Sequence, residues 1–187
     1  ESEHVRSHHR YVGTELDPAS ARAEHGLQYF VLTTVPLQFI SSWKIESERS
    51  NSFWFHRASL YLLIEISTLA ALYHFLGSTI MFAFVGQSAA AVYLLEYVNY
   101  IRHWGLRRGV KDRVTAQTSW QSDARLSRYV LVELTRHADH HLFANRAYQS
   151  LRSHDDAPTL PSGYFACFYL AQIPPIWKRV MSRRLPA

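Results

Sequence analysis

One cysteine in 187 residues, Cys167, rules out an intrachain disulfide framework and a zinc site of the usual two-to-four-thiolate type. Internal repeats and low-complexity tracts are also missing, and the length corresponds to a single domain at roughly 150 residues per domain. Lys plus Arg exceed Asp plus Glu by 20 − 15 = +5, but the excess sits in loops and at the C-terminus. It forms no stripe of the kind that tracks phosphates, so the charge argues against nucleic acid and for an anionic membrane surface. The most informative absence is of charge itself. From Ala58 to Leu95 the only Asp, Glu, Lys or Arg is Glu65, and Ile66 to Leu95 carries none, a contrast hidden by an overall mean hydropathy of −0.16.

That uncharged stretch is too long for one bilayer crossing of about 20 apolar helical residues and close to the length of two short ones. Gly77-Ser78 sits at its midpoint. The pattern predicts a transmembrane helical hairpin, Ala58 to Leu76 and Thr79 to Tyr100, within an all-α membrane protein. Arg57 precedes it, and Arg102, Arg107, Arg108, Lys111 and Arg113 follow. By the positive-inside tendency both open ends face the cytoplasm or an equivalent compartment, in a bacterial inner membrane or that of an organelle such as the mitochondrion. The competing reading is a hairpin buried in a soluble helical protein.

Two further apolar stretches are too short to cross. Leu27 to Ile40, about 14 residues with Pro36 inside, and Gly163 to Trp177, with Pro174-Pro175, both read as interfacial or partly re-entrant helices. The second ends in Trp177 and is followed by Lys178, Arg179, Arg183 and Arg184, a combination that anchors helices at headgroups; packing on a partner protein is the alternative. The expected order within one domain is a histidine-bearing polar segment (1–26), an interfacial segment (27–57), the hairpin (58–101), a second histidine-bearing polar region (102–162) and an interfacial C-terminal helix (163–187). The chain opens at Glu1 with a histidine cluster in its first nine residues, as expected of a fragment, a processed product or half of a split protein. No secretory signal peptide is read in it.

Histidine is abundant. Of eleven, seven fall into His4/His8/His9, His103 and His137/His140/His141. In a helix predicted from Ser127 to about Phe143, positions 137, 140 and 141 stand at i, i+3 and i+4 and share a face, so their imidazoles can converge on one or two metals. His4 and His8 repeat the i, i+4 spacing with His9 adjacent. Imidazole suits iron, copper, zinc and nickel, and Glu3 and Asp139 are candidate acceptors that fix the histidine tautomers. Solvated surface histidine explains one HxxHH but not two clusters plus His103. Seven ligands also exceed the tetrahedral requirement of one zinc. With the hairpin as drawn, all seven end on one membrane face. His25, His56, His74 and His154 share no cluster and are not expected to be ligands; His74, in the first span, is expected to hydrogen-bond within the bundle.

These residues carry a resemblance. Glu3 to Arg22 (EHVRSHHRYVGTELDPASAR) resembles the second histidine box and following DPASAR of the membrane alkane 1-monooxygenases, within the membrane desaturase and hydroxylase superfamily. Leu94 to Arg107 (LLEYVNYIRHWGLR) is similar to that family's NYxEHYG signature, and Leu134 to His141 (LTRHADHH) to its last box, LQRHSDHH. Asp156 to Met181 resembles its C-terminal stretch, so the likeness is collinear over nearly the whole chain. The resemblance implies a non-haem di-iron centre that uses O2 and two electrons from a rubredoxin-type donor to hydroxylate a terminal C–H of an alkane or related acyl chain. Its iron ligands would be His4, His8, His9, His103, His137, His140 and His141. Glu96 matches an acidic family position and would support the bundle. A narrow apolar passage between the spans would admit the substrate end-on; Phe82, Phe84, Ala89 and Ala90 are candidate linings, their plainer role being to pack or to face lipid.

The sequence also departs from that pattern. The family's first box, a HExxH-type motif on an earlier helix, is not among these residues. Ser7 replaces a glycine, Arg102 a glutamate and Trp104 a tyrosine, and Leu142-Phe143 stand where Ala-Asn-Pro is usual. Arg102, beside a ligand position, would oppose a dication if it pointed inward and be harmless pointing to phosphate headgroups. Two readings follow: an oxygenase whose first box comes from a second polypeptide or another segment, or a non-catalytic hydroxylase-like accessory subunit of a larger membrane assembly, for example a respiratory complex. Fatty acyl or aromatic substrates fit the same boxes.

Overall fold

The computed structural model describes residues 2–186; Glu1 and Ala187, the outermost positions of the two terminal segments, lie outside the described residues. Among these the fold is all-helical, with one isolated bridge, Gln121 to Thr159, in place of a sheet. A π-helical turn, His4–His8, runs into the short α1 (His9–Tyr11). Then follow α2 (Leu27–Ser50), α3 (Arg57–Leu76), α4 (Ser78–His103), α5 (Arg125–Val130), α6 (His137–Leu142), α7 (Tyr164–Ala171) and α8 (Pro174–Met181).

The hairpin α3–α4 forms where the uncharged run predicts it. His56 starts α3 with a reciprocal cap: its Nδ1 accepts from Ser59 N–H at 3.2 Å, and Ser59 Oγ accepts from His56 N–H at 3.2 Å. Gly77 both ends α3 and starts α4 at φ 85°, ψ 169°, a region open to glycine because a Cβ would clash with the backbone. Counting away from this tip, Arg57 and Glu96 lie level with each other about 30 Å away, the thickness of a bilayer's hydrocarbon core. No residue of α3 is buried, and α4 is buried only from Glu96 onward. The hairpin is therefore not the core of a soluble protein; such a face of Leu, Ile and Phe is stable when lipid surrounds it, and both helices are long and apolar enough to span. Phe82, Phe84, Ala89 and Ala90 are all exposed on α4, which favours the plainer of their two expected roles.

Beyond Glu96 the last two turns of α4 leave the apolar layer and enter a packed head. Tyr100, Ile101, Trp104, Trp120, Trp177, Leu27 and Met181 form its core. Here three expectations are corrected. The apolar stretch at Leu27 is not a 14-residue piece: α2 runs 24 residues through Pro36, whose missing N–H costs the ladder one bond, to the Leu32 carbonyl, and leaves the rest of the helix intact. The C-terminal stretch is two short helices, broken where Pro174 takes the first position of α8. Trp177 is not a headgroup anchor but is fully buried against Tyr100 and Trp104, at 5.6 and 6.1 Å between ring centres. The predicted helix from Ser127 to Phe143 is also interrupted: α5 and α6 are separated by a turn in which Val132 and Glu133 take φ 53° and 63°. Arg128 stabilises that left-handed turn by a two-point ion pair with Glu133, both bonds 2.8 Å.

Candidate metal centre

The three histidine groups meet in the head, about 10 Å past the level of Arg57 and Glu96. His103, the last residue of α4, is brought against α6 and the N-terminal turn. The seven imidazoles divide into two lobes, within each of which the ligand nitrogens lie within 4.8 Å of one another. One lobe, His8, His103, His137 and His141, is buried; the other, His4, His9 and His140, is partly exposed. The lobes touch, with ring centres of His9 and His141 4.7 Å apart and of His137 and His140 5.4 Å apart.

Local geometry explains the sorting. In an α-helix five residues turn through about 500°, which would leave His9 about 140° away from His4. The π-helical turn His4–His8 widens the ladder to i→i+5, so that His9 Nε2 lies 3.2 Å from His4 Nε2 while His8 faces the other lobe. On α6 the i, i+4 pair His137 and His141 enters the buried lobe and His140 turns to the exposed one. The predicted shared face of α6 thus supplies both lobes.

The arrangement fits a metal. His137 Nε2 is 3.1 Å from His103 Nε2 and 3.0 Å from His141 Nε2. One proton can serve only one of these contacts, so the other sets lone pair against lone pair unless a cation sits between them. Metal–nitrogen bonds of about 2.1 Å place ligands at right angles about 3.0 Å apart, which is the spacing found. His8 Nε2 is buried without any partner. Burial, the largest cause, and the neighbouring cationic groups keep these rings neutral: His4 is pulled down to about 3 and His140 to about 4, while His137 and His141 are held well below the usual imidazole range. Neutral imidazole is the form that binds metal.

Supporting contacts differ from those expected. The acceptor that fixes the tautomer of a clustered imidazole is Asp17, whose Oδ2 accepts a hydrogen bond from His8 Nδ1 at 2.9 Å in a buried contact. Asp17 is itself held by Ser20 Oγ at 2.5 Å and the Ala19 N–H at 3.1 Å, a turn built by the DPAS segment. Sequence reasoning passed over it, although an Asp-Pro turn nine residues past a ligand was the available signal. His103 Nδ1 donates to the Thr118 carbonyl at 3.4 Å. Asp139, expected to play that part, instead accepts from Arg146 Nη1 and His154 Nε2, each at 2.7 Å, and from the Arg152 N–H at 3.1 Å. It ties α6 to the following loop rather than orienting a ligand. Glu3 is buried with Oε1 unpartnered, and burial, followed by the nearby Asp17 carboxylate, pushes its carboxyl up. Glu96 is buried at the membrane boundary, accepting from Gln38 Nε2 at 3.0 Å and Asn99 Nδ2 at 3.1 Å.

Arg102 is tied down beside the cluster, close enough for its charge to help hold His4, His137 and His140 neutral. Its Nε donates to the Tyr164 hydroxyl at 2.9 Å and its Nη2 to the Leu134 carbonyl at 3.2 Å, with the guanidinium over the Tyr164 ring. The remaining histidines stay out of the cluster. His56 caps α3, His154 binds Asp139, His25 meets Tyr29 edge to face, and His74 is exposed on α3 rather than bonded within a bundle.

Residues 1–171 match the fatty acid desaturase family. Among curated proteins, the chain is 37% identical over 196 residues to alkane 1-monooxygenase 1 of Pseudomonas aeruginosa, covering 99% of this chain and 51% of that protein. It is likewise 37% identical over 203 residues to alkane 1-monooxygenase 2 of Alcanivorax borkumensis, with the same coverage. A xylene/toluene monooxygenase hydroxylase component of Pseudomonas putida is 27% identical over 186 residues, 96% of this chain and 50% of that one. The chain spans about half the length of the curated relatives it matches.

Proposed function

The chain belongs to the fatty acid desaturase family, and from that premise we propose that it carries most of the di-iron site of a non-haem membrane monooxygenase that hydroxylates a terminal C–H of alkanes or related acyl chains. The observation that supports this most is the pair of touching histidine lobes in which ring nitrogens face one another at 3.0 to 3.2 Å. His8, His103, His137 and His141 would hold one iron and His4, His9 and His140 the other. Iron bound there supplies reductive activation of O2, with the overall balance RH + O2 + 2 electrons + 2 protons giving ROH + H2O. Asp17 keeps the His8 Nδ1 proton in place so that Nε2 presents its lone pair, and Thr118 does the same for His103. Trp104, which follows His103 directly, and Trp120 and Trp177 are fully buried in the core of the head.

Three further parts of the proposal follow from the family. Electrons arrive from a rubredoxin-type donor at the polar face. Ligands of the first histidine box join the three-histidine lobe, from a second polypeptide or another segment. The histidine face is cytoplasmic or equivalent. The test is element-resolved metal content of the natively purified particle, normalised to this chain, with identification of co-purifying polypeptides and assay of alkane-to-alcohol conversion. About two irons per chain, one for each lobe, with a HExxH-type segment in the active sample, is the expected result. An iron-free chain embedded among other membrane subunits would replace the oxygenase reading with that of an accessory subunit.

A further inference from the structure

Between α2 and the loop ahead of α3 runs an open groove of about 620 Å³ that none of the seven clustered histidines lines and that the oxygenase reading does not use. Phe39, Ile40, Trp43, Phe53, Trp54 and Leu62 line it, and Lys44 and Glu48 stand at its margin. We propose that this groove binds a single zwitterionic membrane phospholipid, acyl chain inward and headgroup between the two charges.

Position along the membrane normal gives the first reason. Arg57 marks the boundary where α3 enters the apolar layer, and the loop residues Phe53 and Trp54 precede it by one turn, at headgroup depth. Leu62 lies about 8 Å further in. The groove therefore starts at the headgroups and runs into hydrocarbon, continuous with the lipid-facing surface of the hairpin. A molecule filling it must be polar at one end and apolar at the other.

Chemistry gives the second. The aromatic rings pack on each other, Phe53 against Trp54 at 4.8 Å and Trp43 against Trp54 at 6.1 Å between centres, both near perpendicular, so the wall is rigid rather than a collapsible loop. Phe53 and Trp54 remain 59% and 65% exposed, more apolar surface than water tolerates cheaply beside a packed domain. At the mouth, Lys44 Nζ and Glu48 Oε1 are 4.0 Å apart, one helical turn from each other, with side chains 75% and 68% exposed. A cation and an anion at that separation match the phosphate and ammonium of a zwitterionic headgroup, with the Trp54 face adding a cation–π surface for the ammonium. An anionic lipid would satisfy Lys44 and be repelled by Glu48.

Tryptophan emission reads this site directly. Trp104, Trp120 and Trp177 are fully buried, which leaves Trp43 and Trp54 as the tryptophans that lipid can reach. The full chain, purified in nanodiscs, is compared with a minor fraction of brominated phosphatidylcholine in unbrominated phosphatidylglycerol, and with the reverse mixture. Quenching by the phosphatidylcholine probe is expected to exceed that by phosphatidylglycerol about two- to fivefold, the range an exposed charge pair supplies. In Glu48→Lys the preference should reverse, with far-ultraviolet circular dichroism unchanged. Equal quenching by both probes in the wild type, or a ratio unmoved in Glu48→Lys, overturns the proposal and leaves an ordinary interfacial aromatic belt. Ile40→Phe, which narrows the groove without adding a tryptophan to the readout, should weaken the preference, and its full persistence also counts against the site.

Discussion

Replacing Asp17 by Asn tests how the buried lobe is held. The carboxylate accepts three hydrogen bonds, from His8 Nδ1 at 2.9 Å, Ser20 Oγ at 2.5 Å and the Ala19 N–H at 3.1 Å, and is 4% exposed. Asparagine keeps the volume and one acceptor oxygen but removes the charge and offers an N–H2 where a lone pair is needed. His8 and Ser20 both donate to Oδ2 and the Ala19 N–H to Oδ1, so an asparagine oxygen at the Oδ2 position sets its N–H2 against the Ala19 N–H, and the opposite orientation removes the acceptor from His8 and Ser20 together. With the charge gone as well, the His8 ring is held less firmly against rotation or movement of its proton to Nε2, the atom left unpartnered in the buried lobe. Outer-shell partners of this kind are worth 10- to 100-fold in metal affinity, about 1.4 to 2.7 kcal/mol. The structure makes the effect selective, because His8 belongs to the four-histidine lobe and not to the other. Anaerobic Fe(II) titration against a competing chelator should resolve a tighter closed site and a weaker three-histidine site in the wild type. In Asp17→Asn the first should weaken by 10- to 100-fold and the second by less than about twofold. Equal weakening of both, or none in a folded variant, would refute the assignment of Asp17 to His8 as a metal-orienting partner.

Other consequences are checked more simply. His137→Ala should lose metal from the buried lobe and His140→Ala from the exposed one, each by element analysis, whereas His25→Ala should retain both; equal loss at all three positions sinks the site. Acidification should destabilise the metal-free chain. Unfolded imidazole gains its proton near pH 6.5, but folded His140 and His4 do so only near 4 and 3, so the unfolded state binds more protons throughout that window. Stability is then complete above about pH 6.5 and falls as the pH drops towards 4, and thermal melts insensitive to pH over that range would contradict the burial. Gly77→Ala should cost about 1 to 3 kcal/mol through its φ of 85°, since nothing lies near enough for a Cβ to touch; an unchanged melt would mean the turn is not held as described.

Some of this was written in the sequence. Absence of charge from Ile66 to Leu95 dictates a membrane hairpin, because nothing else makes so long an apolar run stable, and glycine at its midpoint sets the tip. The seven histidines were legible for a similar reason: spacings of three and four residues are local, and a helix fixes them within one or two turns. Which lobe each joins was not local. His9 reaches His4 because the N-terminal turn is π-helical, and His8 and His103 become neighbours across about half of the chain. Asp17 rather than Asp139 contacts a clustered imidazole because Arg146 and His154 occupy the Asp139 carboxylate, a competition that sequence distance cannot express. The same holds for Trp177, whose amphipathic setting suggested an anchor until Tyr100 and Trp104 were found to cover it. Periodicity and charge state which surfaces must leave water, but which partner they leave it for is chosen by packing among distant segments, and only the tertiary structure contains that choice.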